Sequence, residues 1–474
     1  MKNKEEPSID LLRGSPSLLG SLPSGETTGS LSRPGPTVAA STEKPALSLF
    51  PETLMGAVVD PANIEQAWKN VRANRGAAGP DGMTLTEFPA WYRAHWSVIG
   101  QQLLDGTYWP EPVRRVTIDK PDGGQRQLGI PNVLDRLIQQ AIVQVLTPVF
   151  DPSFSDSSHG FRPKRSAHGA AKQVQRTIRR GYRFVVDMDL SKFFDRCQHD
   201  VVMSRVGRKV NDKRLLMLIG RYLRAGVMVD GVLQPTTEGT PQGGPVSQLL
   251  ANILLDDLDK TLERRGLHFV RYADDFLIFT KSQRSAARVF ASVRRYLTEH
   301  LRLVVNQEKS RIVATDGVEF LGFVFRGLRG TINVSDKSTQ RFKHRVREIT
   351  GRSRGISMDR RLSELRTYLR GWIGYFALAA QLKLFDRFDQ WIRRRIRMCY
   401  WKRWRHVRTR RRELIRLGVP RRQAIRHAKS RHSYWHMAKT IASGVGMTNA
   451  WLQTQGLVRL KPLWAALAPL RRTA

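Results

Sequence analysis

Two different spacings of apolar residues run along the chain and predict two kinds of element. In FVRYADDFLIF, at 269–279, two apolar, β-prone runs flank an Asp-Asp pair, so the pattern predicts a hairpin with Asp274 and Asp275 at its turn. Upstream, an apolar run leads into Asp187 and Asp189 before a helical pattern begins. The sequence therefore predicts a second strand that ends in carboxylates.

The C-terminal third carries the helical spacing. Its apolar residues recur at steps of three and four, which predicts an amphipathic helix with an aromatic face turned toward a core. The residues that set this pattern are Phe385, Phe388, Ile392, Ile396 and Cys399. Trp391 is expected to pack into the same core.

The first 46 residues show neither spacing. They are rich in Ser, Pro, Gly and Thr and poor in aromatic residues, a composition that buries too little apolar surface to offset the entropy of ordering. We therefore predict a disordered tail over 1–46. From Asp60 to about Leu470 apolar periodicity continues without a long linker, and no internal repeat is visible.

The composition favours a folded enzyme with a polyanionic partner. The chain has 474 residues, of which 41% are hydrophobic, enough for two or three domains with buried cores. Its 80 Lys and Arg against 41 Asp and Glu give a net charge of +39, which calls for a polyanion such as nucleic acid. An anionic membrane surface is the competing partner, but the sequence has no apolar run of transmembrane length and no signal peptide. We therefore expect a cytoplasmic protein that does not contact membranes.

Most of the excess positive charge lies in the C-terminal third. Residues 341–474 hold 34 Lys and Arg but 6 Asp and Glu, a net charge of +28. Aromatic side chains are interleaved with these arginines, and such a surface can stack on bases and contact phosphates. The residues predicted to contact nucleic acid lie away from the apolar side of the helix and are Arg393, Arg394, Arg395 and Arg397. A solvated charged face without a bound polyanion is the alternative.

Cysteine usage excludes two classes of site. Cys197 and Cys399 are the two cysteines of the chain. There is thus no disulfide framework and no cluster of paired cysteines for a zinc site. This composition fits a reducing compartment.

The two acidic strand ends are candidates for a divalent-metal site. Adjacent carboxylates are costly unless a cation neutralises them, and Mg²⁺ prefers carboxylate oxygens together with substrate phosphates. Asp189 and Asp274 stand 85 residues apart in sequence and can converge on a pair of ions. Such a pair serves in-line attack of a 3′-hydroxyl on an α-phosphate, with one ion at the nucleophile and one at the leaving pyrophosphate. For the Asp-Asp pair alone, a polar turn between strands is the simpler alternative.

The order of motifs along nearly the whole chain after the tail resembles that of bacterial group II intron-encoded reverse transcriptases/maturases. In the N-terminal half the matching blocks are AWKNVRANRGAAGPDG at 67–82, RRVTIDKPDGGQRQLGIPNVLDRLIQQAI at 114–142, HGFRPKRSAHGAA at 159–171 and DMDLSKFFD at 187–195. In the C-terminal half they are EGTPQGGPVSQLLANILLDDLD at 238–259, RYADD at 271–275, NQEKSRI at 306–312, EFLGFVF at 319–325, LRGWIGYFALAAQLKLFDRFDQWIRRRIR at 369–397, HSYWHMA at 432–438 and NAWLQTQGL at 449–457. The last three blocks resemble the maturase or thumb domain, which separates this family from retroviral and most retron enzymes.

The resemblance implies an α/β (α+β) right-hand polymerase fold. Fingers and palm are expected around an antiparallel sheet over 47–335, followed by a basic, α-helical thumb or maturase domain over 336–474. The implied activity is that of an RNA-directed DNA polymerase, which adds dNTPs to a DNA primer on an RNA template. Maturase activity that promotes group II intron splicing and mobility is implied as well.

The resemblance also implies roles for the acidic residues. Asp189 and Asp274 match the positions that bind the catalytic metal ions, with Asp275 beside them and the backbone carbonyl of Leu190 as a further ligand. Two Mg²⁺ ions are implied, with Mn²⁺ as a substitute. Asp187 is left out, because the motif places the metal ligand at Asp189.

Five further positions match residues that handle the incoming nucleotide. Phe194 corresponds to the ring that excludes a ribose 2′-hydroxyl, and plain core packing is the alternative. Lys120 and Arg126 correspond to the fingers residues that hold the triphosphate, a role suited to cationic donors. Gln242, in TPQGG, matches the residue that contacts the incoming nucleotide, and Lys309 matches a proton donor to pyrophosphate.

RNA is the implied ligand of the fingers as well as of the thumb. Arg162, Lys164 and Arg165, in the block HGFRPKR, are predicted to contact it. The full set of implied partners is group II intron RNA, an RNA template with its DNA primer, target DNA and dNTPs. A homodimer is left open, and nucleoid association is expected during insertion into DNA.

A few features depart from the family pattern. Gln248 stands where Pro is usual and Ser310 stands where Thr is common, and neither change removes a catalytic group. Longer members continue into a DNA-binding segment and an HNH endonuclease with paired cysteines. We therefore expect that this chain does not cut the second DNA strand itself.

Three interpretations stay open at the level of sequence. The first is an active polymerase and maturase, favoured because Asp189, Asp274, Asp275 and Gln242 occur together with the maturase-like blocks. The second is a splicing-only RNA-binding maturase whose polymerisation has lapsed. The third is a domesticated reverse transcriptase that serves phage defence or repair without an intron partner.

Overall fold

The computed structural model describes residues 54–119, 124–229, 232–240 and 242–467. The tail predicted over 1–46 lies outside the described residues, and so does Lys120. The described residues belong to one compact unit. None of the helices in these four ranges is both long and apolar enough to cross a bilayer.

Helices and strands alternate in the first two thirds of the described chain, and helices alone follow. The helices are α1 (Leu54–Val59), α2 (Pro61–Ala73), α3 (Phe88–Asp105), α4 (Val133–Phe150), α5 (Ala167–Arg179), α6 (Phe193–Arg196), α7 (His199–Val206), α8 (Lys213–Arg224), α9 (Pro245–Arg264), α10 (Gln283–Glu299), α11 (Asp336–Ile349), α12 (Met358–Tyr375), α13 (Leu382–Arg403), α14 (Val407–Arg416), α15 (Arg421–Ala428), α16 (Tyr434–Met437), α17 (Ile441–Gly446), α18 (Asn449–Thr454) and α19 (Leu460–Ala466). The strands are β1 (Val113–Asp119), β2 (Gln125–Ile130), β3 (Phe184–Met188), β4 (Val227–Val229), β5 (Val232–Gln234), β6 (His268–Tyr272), β7 (Asp275–Thr280), β8 (Arg311–Ala314), β9 (Glu319–Phe320), β10 (Phe323–Arg326) and β11 (Thr331–Val334).

The strands form three sheets, which correspond to the fingers, the palm and the strand block before the thumb. The palm sheet has the order β6-β7-β3-β8 and is antiparallel throughout. The sheet β11-β10-β9 is also antiparallel. The fingers sheet, β2-β1-β4-β5, contains one parallel pairing, between β1 and β4. The predicted fold class is confirmed, with three sheets where the sequence indicated one.

The palm sheet is buried on both faces, because successive side chains of a strand point to opposite sides. Val186 and Met188 of β3 join a core with the helices of the fingers, including α4 and α9. Val185 points to the other face and joins a second core with α5 and the thumb helices. The strand that leads to Asp189 is therefore fixed from both sides.

The thumb is helical, as predicted, and shares its core with the palm. Helix α11 begins at Asp336 after the N-cap Ser335, and the domain boundary at 335/336 stays a prediction. The residues whose spacing predicted α13 are all buried: Phe385, Phe388, Ile392, Ile396 and Cys399. Trp391 is half-buried and packs against the same cluster. That cluster also contains Leu277 and Phe279 of the palm, so no gap in the core separates palm from thumb.

A carboxyl group lies inside the fingers core. Asp135 of α4 is 1% exposed, and its Oδ1 accepts hydrogen bonds from the Tyr108 hydroxyl at 2.8 Å and the Tyr222 hydroxyl at 3.1 Å. Burial outweighs these two bonds and raises the pKa of Asp135 to about 7. Near neutral pH this residue therefore opposes folding when it ionises.

We expect Asp135→Asn to stabilise the protein above pH 7. Because folding raises the pKa of Asp135 from 3.8 to about 7, the free energy of unfolding falls as the pH rises across that interval and stays lower above it. Asn keeps an oxygen acceptor for the tyrosines and carries no charge. The expected gain at pH 8 is on the order of 1–3 kcal/mol and shrinks toward pH 4. Thermal unfolding followed by circular dichroism at pH 8 and pH 5 measures the difference.

The control for this change is Asp105→Asn, at an exposed position at the end of α3. It removes the same charge without removing a buried group, so its Tm is expected to follow that of the wild type at both pH values. Equal Tm values for wild type and Asp135→Asn at pH 8 would contradict the raised pKa.

Candidate active site

The predicted hairpin forms, with its turn one residue earlier than expected, so that Asp274 lies in the turn and Asp275 is the first residue of the second strand. Strands β6 and β7 pair in register up to Tyr272 and Asp275, and Ala273 and Asp274 form the turn. Ala273 has a φ of 59°, in the left-handed region that side chains with a Cβ rarely adopt. Asp274 is half-buried, whereas Asp275 keeps contact with solvent at the start of β7.

The second acidic strand end lies beside this turn. Strand β3 pairs with β7 up to Met188 and Phe276, so Asp189 follows the last paired residue of β3. The backbone of Asp189 is fixed by two contacts: its amide donates to Ser310 Oγ at 3.1 Å, and its carbonyl accepts from the Asn306 amide at 2.8 Å. Antiparallel pairing thus brings together two carboxylate-bearing segments that are distant in sequence.

The carboxylates are close enough to perturb one another. Burial and then repulsion by Asp189 raise the pKa of Asp274, and the cation of Arg126 acts in the opposite direction. Burial, followed by repulsion from Asp187, Asp274 and Asp189, raises the pKa of Asp275 to about 7. Asp275 is exposed at the start of β7, so repulsion by the three neighbouring carboxylates contributes more to this rise than burial does. The site holds more negative charge than its own cations neutralise.

Asp187 belongs to this acidic cluster, although the sequence motif passes over it. It lies on β3 two residues before Asp189, and its carboxylate forms an ion pair with Arg311 of β8 at 3.3 Å. Burial raises the pKa of Asp187, and Arg311 lowers it. The spacing of two along a strand was the signal for a shared face. Arg311 thus engages the Asp187 carboxylate, which still repels Asp275.

The donor set fits Mg²⁺. Within the described ranges, no three or more His, Cys, Asp or Glu side chains already form a metal-binding cluster. Mg²⁺, however, takes one or two carboxylates and completes its octahedral coordination with water and substrate phosphates. Asp189 and Asp274, with Asp275 beside them, offer hard oxygen donors and an excess of negative charge. Leu190, whose carbonyl is the implied further ligand, forms a β-bridge with Val305 next to this cluster.

The loop TPQGG is seated against the fingers sheet. The carbonyl of Gln242 accepts from the Gly129 amide at 2.9 Å, and the Gln242 side chain is half-buried. Gly243 has a φ of 140°, and a Cβ there would lie 2.4 Å from the Gly129 carbonyl oxygen. Only glycine allows this approach. Arg126, on the same strand as Gly129, is exposed and acts electrostatically on Asp274, so the loop, the fingers strand and the carboxylates lie together.

Two further residues predicted to handle the nucleotide lie around the same carboxylates. The structure distinguishes the paired rings of α6: Phe193 is 2% exposed, whereas Phe194 is half-buried and stacks edge-on against it at 5.2 Å. The carbonyl of Phe194 accepts from the Thr240 amide at 2.6 Å, which ties it to the TPQGG loop. Lys309 is exposed in the turn that supports Asp189.

The three basic residues of the fingers block differ in their surroundings. The Arg162 side chain is 4% exposed and donates to Asp151 Oδ1 at 2.7 Å and to the carbonyls of Asp151, Ser155 and Ser158. Its donors are engaged within the protein, which favours a structural role over the predicted RNA contact. Lys164 is exposed, and Arg165 forms an ion pair with the exposed Asp156.

The arginines of α13 also have internal partners. The Arg394 guanidinium lies 3.8 Å from the centre of the Trp435 ring and donates to the Trp435 carbonyl. Arg395 donates to Thr350 Oγ1 at 2.5 Å, and Arg397 donates to the Met447 carbonyl at 2.9 Å. Arg393 lies one helical turn from Asp389, which acts on it electrostatically. These contacts join α13 to the rest of the thumb, so RNA binding by this set stays a prediction that the geometry does not favour.

Exposed arginines that the sequence did not single out lie on α14. Arg408, Arg411 and Arg412 are exposed and line a shallow surface depression together with Ile415. They are more exposed than the arginines of α13, although Arg412 also forms an ion pair with Glu413 at 3.3 Å. Within the strongly basic thumb, they are better placed to contact phosphates.

Family comparison agrees with this site. Residues 118–325 match the family described as reverse transcriptase (RNA-dependent DNA polymerase), and both acidic segments lie within that range. Residues 339–418 match the group II intron, maturase-specific domain. The fold and the matched regions define a reverse transcriptase joined to a maturase domain.

Two individual relatives identify the family within this class of protein. YkfC of Escherichia coli K12 is 31% identical over 317 residues, which cover 58% of this chain and 83% of YkfC. The group II intron-encoded protein LtrA of Lactococcus lactis subsp. cremoris is 31% identical over 342 residues, 58% of this chain and 57% of LtrA. This chain belongs to the family of group II intron-encoded reverse transcriptases and maturases, which confirms the resemblance drawn from the motifs.

Solved structures align less well. A partial Cas6-RT-Cas1–Cas2 complex is 26% identical with a TM-score of 0.35, over 52% of this chain and 43% of that chain. Telomerase from Candida albicans, in complex with a fragment of telomeric RNA, is 13% identical with a TM-score of 0.39, over 67% of this chain and 64% of that chain. Scores this low add nothing to the assignment.

Proposed function

We propose that this chain extends a DNA primer on an RNA template with dNTPs, and that Asp189, Asp274 and Asp275 hold two Mg²⁺ ions, for which Mn²⁺ can substitute. The observation that carries the proposal is the convergence of two acidic segments on neighbouring antiparallel strands. Burial and repulsion by the neighbouring carboxylates raise the pKa values of Asp274 and Asp275, as expected of a site built to take up cations.

The chain's own groups divide the work of the proposed reaction. Bound Mg²⁺ would activate the 3′-hydroxyl and stabilise the charge on the leaving pyrophosphate. Arg126 presents an exposed guanidinium that can bind the triphosphate, and Lys120 is proposed for the same role. Gln242 places its backbone against the fingers sheet, where the nucleotide would lie. Lys309 would donate a proton to pyrophosphate.

Phe194 is proposed to exclude ribonucleotides. Its ring is half-buried above the fully packed Phe193, and its backbone is tied to the TPQGG loop. We expect Phe194→Val to lower the preference for dNTPs over rNTPs by on the order of 100-fold, because a smaller side chain leaves room for the 2′-hydroxyl. Single-nucleotide incorporation of dCTP and CTP on one template measures the ratio.

The matched control is Phe193→Leu, which alters the neighbouring ring inside the core. This variant is expected to lose stability without changing nucleotide preference. Equal selectivity of wild type and Phe194→Val would assign Phe194 to packing alone.

Group II intron RNA is the partner proposed for the thumb. The match to the maturase-specific domain and the net charge of +28 over residues 341–474 support this. Target DNA and the template with its primer would be attracted by the same phosphate-binding surfaces. We place this activity in the cytoplasm, at the nucleoid during insertion.

Primer extension tests the proposed function directly. Purified protein is incubated with an RNA template, an annealed DNA primer, dNTPs and Mg²⁺, and the same RNA is used in a gel shift. Extension with tight RNA binding is the expected result. RNA binding without extension, over a range of salt and Mg²⁺, would overturn the polymerase proposal in favour of a splicing-only maturase. Extension without preference for the RNA of an adjacent intron would favour a domesticated enzyme.

A further inference from the structure

A fully buried ion pair links the hairpin that carries Asp274 to the neighbouring helix α9. Arg271 of β6 and Asp259 of α9 both have completely buried side chains. Arg271 Nε lies 2.9 and 3.0 Å from the two Asp259 oxygens, and its second nitrogen, Nη2, donates to Oδ2 at 2.6 Å. The pair joins the strand before the acidic turn to the helix that follows the TPQGG loop.

The remaining nitrogen of Arg271 reaches the turn itself. Nη1 donates to the Ala273 carbonyl at 3.0 Å and to Asn252 Oδ1 at 2.9 Å. Asn252, also on α9, donates in turn to the Gly160 carbonyl at 2.9 Å. The guanidinium thus holds the carbonyl of the residue that adopts the left-handed conformation directly before Asp274.

A loop of the fingers, residues 157–160, contacts the same strand and turn. The Arg271 amide donates to the Ser157 carbonyl, and the Arg271 carbonyl accepts from the His159 amide, each at 2.8 Å. At Gly160 a Cβ would lie 2.3 Å from the Ala273 backbone nitrogen, so the two loops are packed backbone to backbone. Main chain and side chain of Arg271 therefore restrain the same turn.

The energetics of buried ion pairs favour a positioning role for Arg271 over a purely stabilising one. A buried ion pair is weak support for stability, because the cost of removing two charges from water often exceeds their attraction, and apolar replacements of similar volume are frequently as stable. A guanidinium, however, offers several donors in fixed directions, which suits it to hold a carboxylate, an amide and a carbonyl at once. The left-handed Ala273 needs such support, since its conformation is costly by itself.

We propose that Arg271 is a positioning residue, which with Asp259 and Asn252 fixes the Ala273 turn so that Asp274 meets the metal ions in the productive orientation. This inference rests on the proposed polymerase function. It extends the site from the carboxylates to the buried residues that orient them, in the way that outer residues orient metal ligands in other proteins.

Two variants separate orientation from stability. Arg271→Lys keeps the charge and can still pair with Asp259, but an ammonium cannot hold Asn252 and the Ala273 carbonyl in the same geometry. The double variant Arg271→Met, Asp259→Leu replaces the pair with apolar groups and guards against loss of fold from one unpaired charge. The matched control is Arg208→Lys, since Arg208 pairs with Asp257 of the same helix but is exposed.

Metal binding is measured without turnover, as the rise in Tm during titration with Mg²⁺ alone, and primer extension is measured in parallel. For both test variants we expect a half-saturating Mg²⁺ concentration raised about 10-fold and a kcat lowered about 10- to 100-fold, with the KM for dNTPs little changed. Arg208→Lys is expected to match the wild type in each measurement.

The outcomes are distinct. Wild-type Mg²⁺ dependence and kcat in the folded variants would overturn the inference while the proposed function stands. Unfolding of both variants would also overturn it, because the pair would then support the palm as a whole. A wild-type protein that gains no stability from Mg²⁺ and extends no primer would overturn the proposed function, and the inference with it.

Discussion

Asp274→Asn is expected to abolish primer extension, with a loss of at least about 1,000-fold in kcat. The substitution keeps the size of the side chain and its acceptor oxygen but removes the charge that would attract Mg²⁺. Asp274 is one of the three carboxylates proposed to hold the metal ions, and Asp275 beside it is already assigned to the same site, so no free carboxylate can replace it. Single-turnover extension on an RNA template measures the loss. Stability is expected to be unchanged or improved, because burial and repulsion from Asp189 disfavour the charge that is removed.

A gel shift with the same RNA separates catalysis from binding. The thumb surfaces proposed to bind RNA do not include Asp274, so RNA affinity is expected to stay within about twofold, a difference well below one tenfold step in affinity. Asp105→Asn serves as the exposed Asp-to-Asn control and should retain wild-type extension. Residual extension by Asp274→Asn at a tenth of the wild-type rate would contradict the proposed role of this carboxylate.

The second large effect is expected on RNA binding when the salt concentration is raised. With a net charge of +39, RNA binding should release many counterions, so the association constant is expected to fall by about 1,000-fold or more between 50 and 200 mM KCl. Fluorescence anisotropy with a labelled intron fragment, repeated at several salt concentrations, gives the slope of log K against log salt. A slope near zero would contradict a phosphate-dominated interface.

Two matched triple variants distinguish the effect of the α14 arginines on this slope from the effect of net charge. Replacing the exposed Arg408, Arg411 and Arg412 of α14 by Gln should reduce the slope by about 2, if each contacts one phosphate. The control replaces three exposed arginines of α10 by Gln and changes the net charge equally: Arg284, Arg288 and Arg295. Equal reductions by the two sets would mean that α14 is not a specific contact surface.

The sequence alone could predict those parts of the molecule whose signal is local. The hairpin at 269–279 has alternating β-prone runs around a polar turn, and it forms as expected. Helix α13 follows from its spacing of three and four, and its apolar face is buried. The order of motifs placed Asp189 and Asp274 together, and antiparallel pairing of β3 with β7 provides the physical route.

Long-range features could not be read in the same way. The parallel pairing of β1 with β4 joins Val113 to Val227, and nothing in either short strand specifies its partner. The α13 arginines looked like free cations because their acceptors are backbone carbonyls far along the chain, such as those of Trp435 and Met447. A sequence shows the donor but not the folded backbone that satisfies it.

The sequence did contain one indication that Arg271 is buried and paired. It occupies a strand position between Val270 and Tyr272, where an apolar residue would be usual, and a charge there has to find a partner if the strand is central. That partner, Asp259, lies in a helix with three other acidic residues, Asp256, Asp257 and Glu263, and only the fold distinguishes them.

The continuous core between palm and thumb constrains how the protein can move. A domain that swings about a linker needs a thin, solvated connection, whereas here Phe342 and Trp372 of the thumb pack in the same cluster as Leu277 and Phe279 of the palm. A shared core favours shear, with small slides of packed helices spread over many contacts, over rotation about a hinge. Translocation along a template would then advance through modest, distributed displacements rather than by opening and closing a hinged clamp.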